Sequence, residues 1–587
     1  MNIRTIFLLF LLSLVSRGFA QTWDTYADTW VATDDLGREL LSVGEKPDPL
    51  SYKSSSVGMF YYLWHGKHTK EGRPIFDITN ILKENPLNPK WGEIGEMHWW
   101  GKPVLGYYKA GDDFVIAKHL QLLTDAGVDF LFFDVTNGFL YDDVVEKMMK
   151  EIDRRESLGM KSPKLCFMSY WGGAKMIEKI YSRFYSDKKY NKYWYLYQGK
   201  PLILADIESV SETSLLLRNF FAYRKSWAWM KGSNKNEWAW LESYPQVPGW
   251  SANPNTPEQL SVSVAQHATT KIGKSYHNGT EPILNALALT DSTAYGLYFN
   301  EQWKMAHKIH PPVLMITQFN EWTAQRFCIQ DSVHLNETRP GITPKIGETC
   351  FVDAYNAEFN RDIEPSRHPL IRDNYYMQFV SNMRKYKGGR VVPEQSSYYT
   401  INLNRNFKQW NSVDYEYRDD KGDVMHQNTL GFNNMDTIVN NTGRNDFVIS
   451  KVAHDKIYLY FFAETMNNIT PAQPSCHEPW ITLLLSINKK NDNWHGYDYC
   501  VKADGNELKL YKNEGGTYKW TPLCRVPFKV VGNKIQLAVP RKRIPESKII
   551  DFKWTDNIPE SENLDILDLY VYGDVAPNGR FNYRYKY

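Results

Sequence analysis

The 587-residue chain exceeds what one hydrophobic core normally holds, so two folded domains and a processed leader are the starting expectation. Its 69 Lys+Arg and 67 Asp+Glu leave a formal charge of only +2, which argues against a nucleic-acid or acidic-membrane partner. Aromatic residues stand out at 15%, with 20 Trp and 38 Tyr; such rings stack on sugars, and equally fill large cores.

The first element in chain order is a leader. A basic start (MNIR), an apolar run from Ile6 to Val15 too short for a stable anchor, and small residues at Gly18 and Ala20 read as a signal peptide over residues 1–20. No Cys follows the cut, which weighs against a lipid anchor. No later segment is long and apolar enough to span a bilayer, so a secreted or periplasmic protein without a transmembrane segment is expected.

From about residue 57 to 325, short apolar runs alternate with helical periodicity, the pattern of βα units and a parallel sheet. The strand candidates are VGMFYYLWH (57 to 65), VDFLFFDVTN (128 to 137), KLCFMSYWGG (164 to 173), KPLILADIES (200 to 209), the runs AYRKSWAWM and WAWLESY, and PPVLMITQFNEW. Between them, Val145, Met148, Met149 and Ile152 recur at helical spacing, as do Ile177, Ile180, Tyr181 and Phe184; Asp112 or Asp113 caps a helix that Gly127 stops. Seven strands, and an eighth near Tyr295 to Phe299, predict an α/β fold of the closed (β/α)8, TIM type over residues 21–392. No glycine-rich phosphate loop follows the first strand, which removes the main support for a nucleotide site.

Beyond residue 392, RKYKGGRVVPEQSS supplies a break. Short alternating runs such as KIYLYFFAET, PWITLLLSIN and NKIQLAV then predict an all-β sandwich over residues 400–587. Six cysteines are too few for a disulfide scaffold, and none has zinc spacing.

In a TIM-type barrel the active site lies at the C-terminal strand ends. Those ends read Trp64-His65, Asp134-Val135-Thr136-Asn137, Tyr170-Trp171, Asp206-Ile207-Glu208, Glu242 and Asn320-Glu321-Trp322, so acids and rings converge on one rim. An Asp at a strand end also serves as a helix cap, but capping requires no neighbouring Trp or His. Glycoside cleavage needs one protonated carboxylic acid and a second carboxylate, and indole faces both carry sugar and desolvate the acid. Glu321 is therefore the candidate reacting carboxylate, with Trp322 as a wall of its subsite; the alternative is a buried Glu321 paired with Arg326. Asp134 and Glu242 are the candidate catalytic partners, and Asn137, Trp171, Asp206 and Asn320 complete the rim as substrate-binding candidates.

Four stretches carry a resemblance: YYLWHG, HWWGKPVLGYYKAGDDFVIAKHLQLLTDAGVDFLFFD, TQFNEW and FVDAYNAEFNRDIEP. From Tyr61 to about Pro365 the chain resembles the barrel of glycoside hydrolase families 71 and 99, the second of which contains the endo-α-mannosidases. The resemblance implies an α-linked oligo- or polysaccharide substrate and places His65 and His98, beside Trp64 and Trp99, against sugar hydroxyls. The family motif Asn-Glu-Trp-x-Glu-Gly carries a second glutamate as general acid, and Ala324 stands in its place here. Another rim carboxylate (Glu242, Asp134 or Asp206) then supplies the proton, or the linkage cleaved differs, or the barrel binds glycan without cutting it. Asp353, Glu358, Asp362 and Glu364, with Arg361 among them, lie past the last strand and read as structural.

The blocks TGRNDFVISKVAHDKIYLYFFAET and NDNWHGYDY resemble family 9 carbohydrate-binding modules and DOMON-like domains. Trp480, Trp494 and Tyr497 then form a sugar platform or fill the core. This resemblance admits a calcium ion, but Asn488-Lys489-Lys490 offers no acid where ligands were sought, so no metal is claimed, and no organic cofactor is implied. The expectation is an exported glycoside hydrolase, with a glycan-binding protein on a degenerate barrel as the alternative.

Overall fold

The computed structural model describes residues 22–40, 55–68, 72–227, 234–266, 271–281, 292–328, 346–351, 357–394, 397–432, 436–440, 443–472, 479–488 and 493–587. The expected leader and Asp353 lie outside the described residues. In chain order the first part carries β1 (Ser56–Tyr61), β2 (Phe76–Asp77), α1 (Ile78–Glu84), β3 (Met97–Trp99), α2 (Asp113–Asp125), β4 (Phe130–Asp134), α3 (Asp142–Ser157), β5 (Lys164–Met168) and α4 (Gly173–Ile180). Next come β6 (Leu196–Tyr197), β7 (Lys200–Leu204), α5 (Ile207–Ser211), α6 (Leu215–Phe220), β8 (Ala222–Arg224) and β9 (Gln259–Ser263). The part ends with α7 (Ser292–Tyr295), α8 (Leu297–Ile309), β10 (Val313–Thr317), β11 (Thr323–Cys328), β12 (Thr349–Phe351) and α9 (Asn374–Lys387).

The central sheet is parallel and curled, in the order β8-β7-β5-β4-β1-β10-β9, with β6 added antiparallel to β7. Every residue of β4 and β10 is buried, as expected of strands covered on both faces. The flanking helices match their sequence signals. Asp112 caps α2 by accepting the Phe114 and Val115 N–H groups, Gly127 follows its end at φ +82°, and α3 buries Val145, Met148, Met149 and Ile152.

Closure departs from the expected eight-stranded cylinder. Among the described residues no ladder joins β8 to β9, and the sheet is a curled part-barrel. Residues 234–250 occupy the gap through isolated bridges, Glu237 beside Lys225 in parallel and Gly249 opposite Gln259. The expected strand WAWLESY lies in this segment. Pro245 and Pro248 follow it at once and lack the N–H a continuous ladder requires. The expected strand at Tyr295 to Phe299 is helical instead, in α7 and α8. Tyr298, Phe299, Gln302, Trp303 and Ala306 form the buried stripe of α8, a helical period that a five-residue reading missed. The strand that the sequence hid is β9, fully buried although Gln259, Ser261 and Ser263 are polar.

A smaller sheet, β12-β11-β3-β2, lies beside the continuation of β10, with Ala324 opposite His98 and Thr323 opposite Trp99. The C-terminal part carries β13 (Tyr417–Arg418), β14 (Gln427–Thr429), β15 (Ile438–Asn440), β16 (Phe447–His454), β17 (Tyr458–Thr465), β18 (Thr482–Ser486) and β19 (Tyr499–Asp504). It continues with β20 (Glu507–Asn513), β21 (Trp520–Val526), β22 (Phe528–Val531), β23 (Lys534–Pro540), β24 (Ile549–Asp556), β25 (Asp574–Ala576) and β26 (Tyr583–Lys586). Two antiparallel sheets result, β13-β16-β17-β23-β22 and β21-β20-β19-β18-β24-β25, with β26 also on β24. They meet through aromatic pairs, Phe461 with Phe552 at 5.5 Å and Phe447 with Trp554 at 5.9 Å. Ion pairs join this part to the first: Arg580 holds Asp373 at 2.7 and 2.8 Å, and Arg155 holds Asp420 at 2.8 Å. No helix among the described residues is long and apolar enough to cross a membrane.

Candidate functional site

Because the central strands are parallel, their C-terminal ends share one rim, and the segment after β10 runs beside the end of β1. Phe319 N–H donates to the Phe60 carbonyl at 3.1 Å. The Asn320 side chain then mimics a strand, accepting Tyr62 N–H at 2.9 Å and donating to the Tyr62 carbonyl. That use occupies its amide and makes Asn320 a clamp on β1. Glu321 follows with its N–H donated to the buried Asp362 carboxylate, which also accepts from Gln318 and Asn360. Burial raises the Asp362 carboxyl and lowers the neighbouring Lys274 ammonium, which sits 4.8 Å from the Tyr375 ring and 5.4 Å from that of Trp100. Arg326, the alternative partner for Glu321, bonds to Thr349 Oγ1 and the Gly92 carbonyl.

Trp322, expected as a subsite wall, is 0% exposed. Its ring packs on Trp100 at 5.2 Å and its N–H donates to Glu364, because the chain turns inward here to enter β11. Glu364 also accepts from Tyr108 Oη at 2.7 Å and His119 Nε2 at 2.9 Å, while Tyr61 Oη bonds to His119 Nδ1 at 2.8 Å. This buried network was not picked out from the sequence, although Tyr108 and His119 lie in the most telling resemblance block. Glu358, Asp362 and Glu364 are all buried, in keeping with the structural reading of their stretch.

His98 is likewise spent internally. Its Nδ1 contacts the Glu96 carbonyl at 3.1 Å, its Nε2 accepts Gly92 N–H, and burial lowers its pKa to about 4. Trp99 is buried between His65 at 5.4 Å and Phe432 at 6.0 Å, so neither side chain offers a face to a sugar. His65 differs. Its Nε2 holds the Asn320 carbonyl at 2.6 Å, and burial lowers its pKa to about 3. The ring is therefore neutral, donating from Nε2, and among the described residues its Nδ1 is an acceptor with no hydrogen-bond partner.

Asp206 is a helix cap. It accepts Ser209 N–H, pairs with Lys225 at 3.0 Å, and is held below the ordinary value because those bonds outweigh its partial burial. Asp134 ends β4 buried, with Oδ1 accepting from Thr136 N–H at 3.0 Å and Thr136 Oγ1 at 2.6 Å. Glu242 lies within the irregular segment between β8 and β9. Its carbonyl is fixed by Gln266 and Gln302 at 2.9 and 3.1 Å. Its half-buried carboxyl has one oxygen accepting Ser243 N–H and the other without a partner among the described residues. Burial raises the pKa, offset in part by the Ser243 bond.

Aromatic rings follow the ends of these strands, two of them exposed, Trp171 and Phe139. Trp171 after β5 is 62% exposed, and its backbone N–H donates to the Thr136 carbonyl at 2.8 Å, tying it to the loop after β4. Tyr170 stacks on Trp227 after β8 at 3.8 Å, and Trp64 stacks on Tyr141 at 6.4 Å. Asn137 donates to Tyr141 Oη, and Phe139 is exposed. Phe139 and Tyr141 lie beyond the strand ends that the sequence marks, and Trp227 lies inside the expected strand AYRKSWAWM, of which only Ala222–Arg224 is β8. A cavity of about 670 Å³ opens beside His65, between Lys67, Lys109 and Lys147 on one side and His426 and Phe432 on the other. A larger one, about 720 Å³, is lined by Asp35, His495, Tyr497 and Arg580 and by none of the rim carboxylates. Trp480 and Trp494 are buried with their N–H groups bonded to the Thr470 and Leu564 carbonyls, the core alternative of the two expected for them.

No family model matches the chain, and no curated protein does. Among solved structures, two of a family 99 endo-α-mannosidase from Bacteroides thetaiotaomicron, one bound to BIS-TRIS-propane, align with 57% of this chain and 97% and 98% of theirs. They share 16% identity, with TM-scores of 0.33 and 0.32. A glycoside hydrolase-like protein aligns with 57% of this chain and 94% of its own at 10% identity and a TM-score of 0.29. The chemistry of the rim is therefore argued from its own residues.

Proposed function

We propose that this chain is an exported glycoside hydrolase acting on an α-linked glycan at the C-terminal mouth of the curled sheet. Glu321 is the reacting carboxylate, Glu242 the proton donor that replaces the acid missing at Ala324, and Asp134 a supporting carboxylate. The observation that carries this reading is Glu242. It is a half-buried carboxyl with one oxygen unclaimed among the described residues and a raised pKa, on the rim that also bears Trp171 and the Tyr170–Trp227 stack. A carboxyl kept protonated by burial can protonate a leaving oxygen, and open rings supply faces for a sugar. Asp206 is left out of the chemistry because its ion pair favours the ionised form.

The test is release of reducing ends from a panel of α-mannans, α-glucans and host-type glycans, with Glu242→Gln and Glu321→Gln as controls. The second reading, glycan binding without cleavage, is favoured by one observation: Ala324 is buried in the β11–β3 ladder opposite His98. Binding to a glycan of the panel with no product would support it.

A further inference from the structure

Between the two parts of the molecule lies a cluster of carboxylates that the rim chemistry does not use. Asp419 and Asp423 flank the loop Asp420-Lys421-Gly422 after β13, and Asp574 begins β25. One carboxylate oxygen from each lies within 4.8 Å of the others, and all three residues are buried. Asp419 is 1% exposed, and neither of its carboxylate oxygens has a hydrogen-bond partner among the described residues; Asp423 Oδ1 is in the same position. Burying an ionised carboxylate without a partner is among the most expensive acts in folding, so an arrangement of this kind calls for a cation.

The neighbouring bases are few: two buried lysines face the three carboxylates, Lys118 on the side of Asp423 and Lys553 on the side of Asp419 and Asp574. Lys118 Nζ stands 3.6 Å from Asp423 Oδ2 and also donates to Gln121 Oε1, and Lys553 donates to the Pro577 carbonyl. Arg155 is held by Asp420 and Arg154 by Glu151. Asp446, with one oxygen on Gly422 N–H at 2.7 Å, is a further carboxyl beside the loop. The remaining bonds hold the carboxylates in place: Gln121 Nε2 donates to Asp423 Oδ2 at 2.7 Å, and the Phe447 and Val575 N–H groups donate to the Asp574 carboxylate.

We infer that Asp419, Asp423 and Asp574 bind a calcium ion that fastens the loop after β13 to β25. Through Gln121 and Lys118 of α2, the ion also braces the first part of the molecule against the second. The donors are all carboxylate oxygens, which suits a hard cation. Oxygens that all lie within 4.8 Å of one another can surround one ion at the roughly 2.3–2.6 Å of calcium, and a buried set of protein oxygens suits calcium better than magnesium, which keeps several of its waters. No group-transfer step is involved, and the rim carboxylates are separate from the cluster.

The test is calorimetric titration of the EDTA-treated, desalted full chain with CaCl2 and, separately, MgCl2, alongside thermal unfolding in each salt. A single calcium ion should bind per chain and raise the unfolding temperature. Asp419→Asn should weaken calcium binding by about tenfold or more while its far-ultraviolet circular dichroism matches the parent. Asp423→Asn provides a second variant should the first fail to fold. Absence of calcium heat and thermal shift in the parent chain overturns the inference, as does an equal response to magnesium or full calcium binding by both variants.

Discussion

Glu242 is the residue on which the proposed chemistry turns, and its local setting gives its behaviour a sign. Burial raises its carboxyl above the ordinary glutamate value, so the protonated form that donates to a leaving oxygen persists to higher pH and is lost as pH rises through the raised pKa. A pH–rate profile should show an alkaline limb above the usual carboxyl range. Glu242→Gln should remove that limb and lower turnover on the order of 10²–10⁴-fold with little change in fold. Glu321→Gln should cost hydrolysis at least as much, and an unchanged rate in either variant would strip it of its role. Trp171 is exposed, so Trp171→Ala should weaken glycan affinity by up to about tenfold at constant melting temperature, measured by affinity electrophoresis. At this scale the sequence conveyed which residue types reach the strand ends but not which way they face. Trp322 and Trp99 carry the signature of sugar platforms and are buried, whereas Trp227, inside a run that reads only as a strand, is not.

At the scale of elements, the rim stands on a buried support. Glu364 gathers the Tyr108 O–H, the His119 N–H and the Trp322 N–H, and Asp362 holds the backbone of Glu321. Glu364→Ala strands three buried donors at roughly 1–3 kcal/mol each, so it should lower the denaturant midpoint sharply while leaving the denaturant dependence two-state. The parallel strands β1, β4, β5, β7 and β10 were legible because fully buried strands are continuous apolar runs bounded by turn residues. β9 was not, since three of its five residues are polar and find their bonds only in the fold: Gln259 Nε2 donates to the Ala239 carbonyl at 2.9 Å. The irregular segment after β8 was read as a strand because its Trp and Leu residues are buried like one. Its prolines, which deny it a ladder, lie just beyond the run.

For the whole molecule, the join between the curled sheet and the antiparallel sheets is electrostatic as well as apolar. Burial alone would raise Asp565, but Arg372 and the Leu567 N–H outweigh it and hold the carboxyl at about 2. Its folded pKa lies below the ordinary 3.8, so the pair contributes stability above that value and loses it as pH falls from 3.8 through about 2. Asp565→Asn should flatten this part of the acid unfolding curve, followed by tryptophan fluorescence. The two-part organisation was legible from the change of periodicity near residue 392. The ion pairs between the parts were not, because Arg155 and Asp420 or Arg372 and Asp565 lie far apart in the chain and nothing local links them. Whether Glu321 and Glu242 cut a glycan is decided by reducing-end release from the α-linked panel, with the parent chain and Glu242→Gln side by side. The parent should release product from at least one glycan, and the variant should lose two or more orders of magnitude of that rate. Binding without product from the parent, or equal product from both, would contradict this chemistry.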